Sequence, residues 1–191
     1  MMYIIIIVAF VILVPILTVF QSSKGYKKFN NELKTMGFSN FECVAFKKAS
    51  FYIDTNIQKL AVYIDGTANS TPRSYFYDFD EIEKYDIIVN NAIITSGGIS
   101  RAIVGGIIAG GVGAIVGAFT AKNIQNIDKI AVHVFISDAH PITLLLNDTP
   151  FSKVDNQYPL MMQNLEKLQN MFAHIIQVNQ SQFRYLFFNR N

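Results

Sequence analysis

Residues 100–123 read SRAIVGGIIAGGVGAIVGAFTAKN, and whether this stretch is a membrane span or an insert between strands decides the fold. Between Arg101 and Lys122 lie twenty consecutive uncharged residues, six of them glycine, and eight of the chain's eleven glycines fall between Gly97 and Gly117. The residues on either side are strand-like: 87–95 (IIVNNAIIT) and 129–137 (KIAVHVFIS) are rich in β-branched side chains. If both belong to one sheet, the two ends of the glycine segment lie on one side of any bilayer, and a single span is excluded. Twenty residues folded as a helical hairpin give arms of about 15 Å, half of a roughly 30 Å hydrocarbon core. The expectation is therefore a hairpin that enters and leaves on one face, with Arg101 and Lys122 as interfacial anchors. An apolar flap folded over the protein's own domain is the alternative that needs no lipid.

Working outward, the chain alternates short strands with turns. FYIDTNIQKLAVYID (51–65) reads as a hairpin turning at 54–58; residues 41–48 precede it, and an aromatic strand, 73–79, follows a loop containing Gly66, Asn69 and Pro72. Residues 81–84 fit a helical turn or an edge. A second hairpin joins 129–137 to 141–147 (PITLLLN) around Asp138, Ala139 and His140. From Tyr158 onward Met161, Leu165, Leu168, Phe172 and Ile175 recur at helical spacing, with Pro159 in the first turn, where its missing N–H costs nothing. Several antiparallel strands followed by one amphipathic helix form an α+β fold in which the helix lays its apolar stripe on the sheet.

The N-terminus differs. Residues 3–20 form an eighteen-residue apolar stretch, about 27 Å as a helix, with no basic residue before it and no small-x-small cleavage site after it. It is expected to be an uncleaved transmembrane anchor spanning 1–22, followed by a linker or short helix, 23–40, with Gly37 as its stop. Lys24, Lys27, Lys28 and Lys34 follow the stretch at once, which places the bulk of the chain in the cytoplasm of a single-pass cell-membrane protein. The lone Cys43 makes no internal disulfide and is expected to be buried beside Val44 and Phe46. A net charge of +2 over 191 residues argues against nucleic-acid binding.

Three pieces, FYIDTNIQKLAVYID, the glycine-rich SRAIVGGIIAGGVGAIVGAFTAKN and VHVFISDAHPITLLLN, resemble the pleckstrin-homology-like (PH-like) domain of small bacterial and phage proteins that often carry a SHOCT tail. The resemblance runs over about 41–178, with the insert at 97–122. It implies a small antiparallel PH-like barrel with an inserted glycine-rich helical hairpin and a C-terminal helix, and implies no enzymatic activity. This chain ends instead in an aromatic and basic tail, 179–191 (NQSQFRYLFFNRN).

Within the insert, Gly106 and Gly110 are four apart, as are Gly113 and Gly117, two small-xxx-small steps that let helices approach closely; Gly105 and Gly111 complete the residues expected to serve membrane insertion or self-association. No Lys-Ser or Lys-Thr follows, so no phosphate-binding loop forms. His133, His140 and His174 have no partners at metal-ligand spacing, and Asp78, Asp80, Glu81 and Glu83 lack the glycine and final glutamate of an EF-hand loop. No cofactor or metal is expected. Lys47, Lys48 and Lys59 are candidate lipid head-group contacts. The resulting expectation is a non-enzymatic, membrane-anchored binding or adaptor protein. Its partners would be the bilayer and either a protein or a second copy of the chain, with no nucleic acid and no small-molecule substrate. A membrane-active, pore-forming or phage-exclusion effector is the alternative.

Overall fold

Period-two apolar patterning becomes two four-stranded antiparallel sheets in the computed structural model, which describes residues 24–66, 70–98, 115, 119, 122, 124–137 and 139–188. Residues 24–35 form helix α1. The first sheet, in the order β1-β2-β3-β4, comprises β1 (Glu42–Ala45), β2 (Ala49–Asp54), β3 (Lys59–Ile64) and β4 (Arg73–Asp78). A 3-10 turn, Phe79–Glu81, leads into the second sheet of β5 (Ile82–Val89), β6 (Ala92–Gly98), β8 (Ile130–Ile136) and β9 (Ile142–Asn147), ordered β6-β5-β8-β9. Two short strands, β7 (Asn126–Ile127) and β10 (Phe151–Ser152), pair with each other before helix α2 (Tyr158–Phe188).

The first sheet is buried on both faces because its strands alternate two apolar sets. Phe51, Ile53, Leu60 and Val62 face the main core, where they meet Ile82, Tyr85, Ile87, Val132 and Val134 of the second sheet and Leu165, Leu168, Phe172 and Ile175 of α2. Tyr52, Ala61, Tyr63 and Phe76 face the other way and meet Phe29, Leu33 and Phe38, so α1 is a packed layer with its own small core. Gly37 ends that helix in the left-handed region, at φ +87°. The α2 stripe anticipated from spacing is the buried one, and the helix continues without interruption through the expected tail as far as Phe188.

Strands β6 and β8 flank β5 and are both antiparallel to it, so they run parallel to each other. Gly98 pairs with Lys84 near the start of β5, and Ile130 pairs with Val89 at its end. The glycine-rich connection therefore begins and finishes about 17 Å apart along the sheet. Parallel neighbours require a crossover between them, and the chain from β6 to β8 is that crossover. Ile115 and Phe119, one helical turn apart, are helical, 0% exposed and part of the main core. This end of the segment packs on its own domain; the hairpin itself lies outside the described residues.

The expected transmembrane element is corrected. Among the described residues no helix is long and apolar enough to cross a membrane. Helix α1 carries Lys24, Lys27, Lys28, Glu32 and Lys34, and α2, although 31 residues long, interleaves its apolar stripe with Glu166, Lys167 and many Asn and Gln. Both bury one face against a sheet, as amphipathic helices of a folded domain do. The single-pass anchor and the cell-membrane localisation built on it are withdrawn; residues 1–22 lie outside the described residues.

Candidate functional site: a groove between an edge strand and the last helix

Strand β1 is short and lies at the edge of its sheet, paired only with β2. The Phe46 N–H donates to the Ala49 carbonyl at 2.8 Å and closes the β1–β2 turn. Antiparallel alternation then makes Val44 with Phe51, and Glu42 with Ile53, the pairs that exchange hydrogen bonds. Cys43 and Ala45 consequently direct their peptide groups away from β2. The Ala45 carbonyl confirms the direction, because it accepts from Asn164 Nδ2 of α2 at 3.0 Å. The Cys43 N–H and C=O have no hydrogen-bond partner among the described residues and face a groove of about 550 Å³.

Val44, Ile53 and Met171 give this groove an apolar floor, while Glu42 stands on the strand side and Lys167, Asn170 and His174 on the helix side. Helical geometry places the last three there: positions i, i+3 and i+7 share a face, beside the buried stripe. His174 is oriented by Phe79, whose ring it meets edge-on at 6.2 Å. Cys43 is exposed, contrary to the expectation of burial, because the edge strand has no neighbour beyond it. Its side chain lies across from Tyr52 on the α1 side. Partial desolvation raises the thiol's pKa, against a lowering hydrogen bond to Tyr52, so the group is a neutral thiol near pH 7.

The residues singled out from sequence are not brought together. Lys47 Nζ donates to Thr149 Oγ1 at 2.5 Å and Lys48 Nζ pairs with Asp148 at 3.1 Å, both at the β1–β2 turn. Lys59 pairs with Asp78 at the opposite end of β2 and β3, about 17 Å away along the strands. Lys122 Nζ donates to the Ile93 carbonyl at 2.6 Å. Arg101 and all six glycines from Gly105 to Gly117 lie outside the described residues, as does Asp138. His133 is on β8 opposite Asp86, and His140 is exposed in a turn. In the acidic stretch, Asp78 is engaged by Lys59 and the Glu81 carboxylate accepts from the Asp78 N–H at 2.7 Å. Among the described residues no group of three or more His, Cys, Asp or Glu could hold a metal ion. The groove escaped sequence reading because its floor and wall come from positions over a hundred residues apart. Its only sequence signal is the Lys167, Asn170 and His174 spacing.

Two antiparallel sheets around one core, with a long C-terminal helix packed across β1, β5 and β6, define a PH-like domain. The family described as glycine zipper containing PH domain matches residues 39–147, more than half of the chain, and the chain belongs to that family. No curated protein matches it, and no solved structure does.

Proposed function

We propose that this protein is a non-enzymatic binding module that takes an extended segment of a partner protein as an added strand on β1. The observation that carries the reading is the unclaimed, outward-facing peptide of Cys43 above an apolar floor. Main-chain hydrogen bonds to a sheet edge supply affinity, and alternate side chains entering a neighbouring groove supply selectivity. Val44, Ile53 and Met171 would receive an apolar side chain, and Lys167 with Glu42 would set the charge pattern of its neighbours.

Replacing Cys43 with proline removes the outward N–H while leaving every β1–β2 bond in place, a substitution that edge strands tolerate. Peptides selected from a random extended-peptide library against the intact chain are expected to bind wild type and Cys43→Ala alike, and to lose at least tenfold in affinity for Cys43→Pro. Equal binding to all three would defeat the reading.

The small-xxx-small steps support a second role in self-association. In any regular helix Gly113 and Gly117, four apart in the sequence, would share one face, where a second helix could approach. Leu substitution at Gly113 and Gly117, read by chemical crosslinking, tests this; an unchanged distribution of oligomers would sink it. A pore-forming role would require Ile115 and Phe119 to leave the core, which weighs against it.

A further inference from the structure

Strand β4 is the other edge of the first sheet, paired only with β3, and each of its six residues keeps some exposure, unlike the buried stretches of β2 and β3. The Phe79 N–H donates to the Gln58 carbonyl at 2.9 Å, and this fixes the alternation along the strand. Tyr77 with Leu60, Tyr75 with Val62 and Arg73 with Ile64 are the pairs that exchange hydrogen bonds. Ser74, Phe76 and Asp78 therefore turn their peptide groups outward. The Asp78 N–H is taken by the Glu81 carboxylate at 2.7 Å, and Pro72, the next outward position in the other direction, has no N–H. The free edge is thus confined to Ser74 and Phe76, whose N–H and C=O groups have no hydrogen-bond partner among the described residues.

The same edge carries opposite charges at its two ends. Arg73 stands at the start, near Lys28 of α1, and makes no ion pair among the described residues. Asp78, Asp80 and Glu81 stand at the end, where Lys59 engages only Asp78.

We propose that the protein forms a two-fold dimer in which β4 pairs antiparallel with β4 of a second copy, joining two four-stranded sheets into one continuous sheet. One register uses every free group: Ser74 pairs with Phe76 of the partner subunit, and Phe76 with Ser74 of the partner subunit, about an axis through Tyr75. A shift by two residues would put Pro72 or Asp78 in a paired position, and neither has an N–H to give. In this register Arg73 lies opposite Tyr77 of the partner subunit, a cation beside an aromatic ring, and one residue from the acidic end. The positive start of each strand thereby meets the negative end of the other. Tyr75, already stacked with Tyr77 at 6.3 Å and 6°, faces its own copy across the axis. Helix α1 leaves room for this contact. It packs over β2, β3 and β4, so two copies centred over β3, with strands about 4.8 Å apart, lie about 14 Å apart, beyond the roughly 8–10 Å of packed helices. The contact uses neither the β1 edge nor the glycine segment.

Sedimentation velocity of the full chain across a wide concentration range gives the dimer dissociation constant. Ser74→Pro removes the outward N–H from both subunits without touching a β3–β4 bond, and weakens the dimer by at least about tenfold. Ser74→Ala loses the same hydroxyl bond to Glu32, 2.6 Å long, but keeps the N–H and dimerises like wild type. A crosslink reports the register without relying on a proline variant. In a Cys43→Ala background, Tyr75→Cys forms an intersubunit disulfide on mild oxidation, because partners of a non-hydrogen-bonded pair have Cα atoms about 4.5 Å apart. Tyr77→Cys, about 14 Å from its own copy, does not. A chain that stays monomeric, a dimer unchanged in Ser74→Pro, a dimer lost in Cys43→Pro, or a disulfide at position 77 and not at 75 overturns the proposal.

Discussion

Asn164 of α2 donates its side-chain amide to the Ala45 carbonyl at 3.0 Å, fastening the last helix to the outward edge of β1 two residues from the unclaimed Cys43 peptide. Asn164→Ala removes one hydrogen bond at an exposed site and is expected to cost about 1 kcal/mol, a fall of roughly 2–4 °C in Tm. The same change frees Ala45 for pairing, so peptides that bind the groove should bind the variant at least as well as wild type. Thermal unfolding and peptide titration together separate the two effects.

Ile115 and Phe119 are fully buried in the main core. Ile115→Ala is expected to destabilise the monomer by about 2–5 kcal/mol and Phe119→Ala by about 3–5 kcal/mol, the usual cost of emptying such sites. Urea denaturation in lipid-free, dilute buffer is the measurement. Unchanged midpoints would mean that these side chains act elsewhere than in the domain core.

Asp54 is 0% exposed, and its carboxylate accepts from the backbone N–H groups of Ser39 and Asn40 at 3.0 Å each, Asn56 at 3.0 Å and Ile57 at 3.4 Å. Desolvation alone would raise its pKa, but the four donors outweigh it and hold the group below the usual carboxylate value. A lowered folded-state pKa stabilises the fold above the unfolded value near about 4, and that contribution disappears as pH falls through the folded value. The stability difference between wild type and Asp54→Asn should therefore be full at pH 6 and shrink at the acid end of a urea-denaturation series. A difference that stays constant down to pH 2 would contradict this assignment.

Asn90 and Asn91 turn the β5–β6 hairpin with φ of 49° and 64°, the left-handed pair that a two-residue hairpin needs. Asn90 also clasps the end of the crossover. Its Oδ1 accepts from the Asp128 and Lys129 N–H groups at 2.8 and 3.3 Å, and its Nδ2 donates to the Asn126 carbonyl at 2.8 Å. Asn90→Ala is expected to cost about 1–3 kcal/mol through lost bonds and backbone strain. Asn91→Gly, which keeps the turn and loses no side-chain bond, should be neutral or stabilising by up to about 1 kcal/mol. Equal costs for the two would show that the clasp contributes nothing.

Much of the fold was legible because its signals are local. Alternation marked β2, β3, β4, β8 and β9, Asp54–Gln58 marked a turn, and the spacing from Met161 to Ile175 marked the buried stripe of α2. The glycine segment was conspicuous too, but glycine density says where backbones come close and not against what. Gly97, for example, lies against the ring of Tyr85, a packing reason invisible in the local run. Lysine-rich α1 read equally well as a linker, because Phe29, Leu33 and Phe38 gain meaning only once the first sheet presents Tyr52, Tyr63 and Phe76 to them.

Composition and periodicity by themselves determined an antiparallel strand series closed by an amphipathic helix, with an apolar, glycine-rich connection inside it. Strand order was decided only in three dimensions: pairing β5 between β6 and β8 turns that connection into a crossover with separated ends and draws Ile115 and Phe119 into the core. Tertiary packing also left the Cys43 peptide unclaimed and the Tyr63 hydroxyl unpartnered. Side-chain patterning encodes which face of a strand is apolar, whereas which edge stays open and which polar group is stranded depend on long-range neighbours that no local pattern specifies.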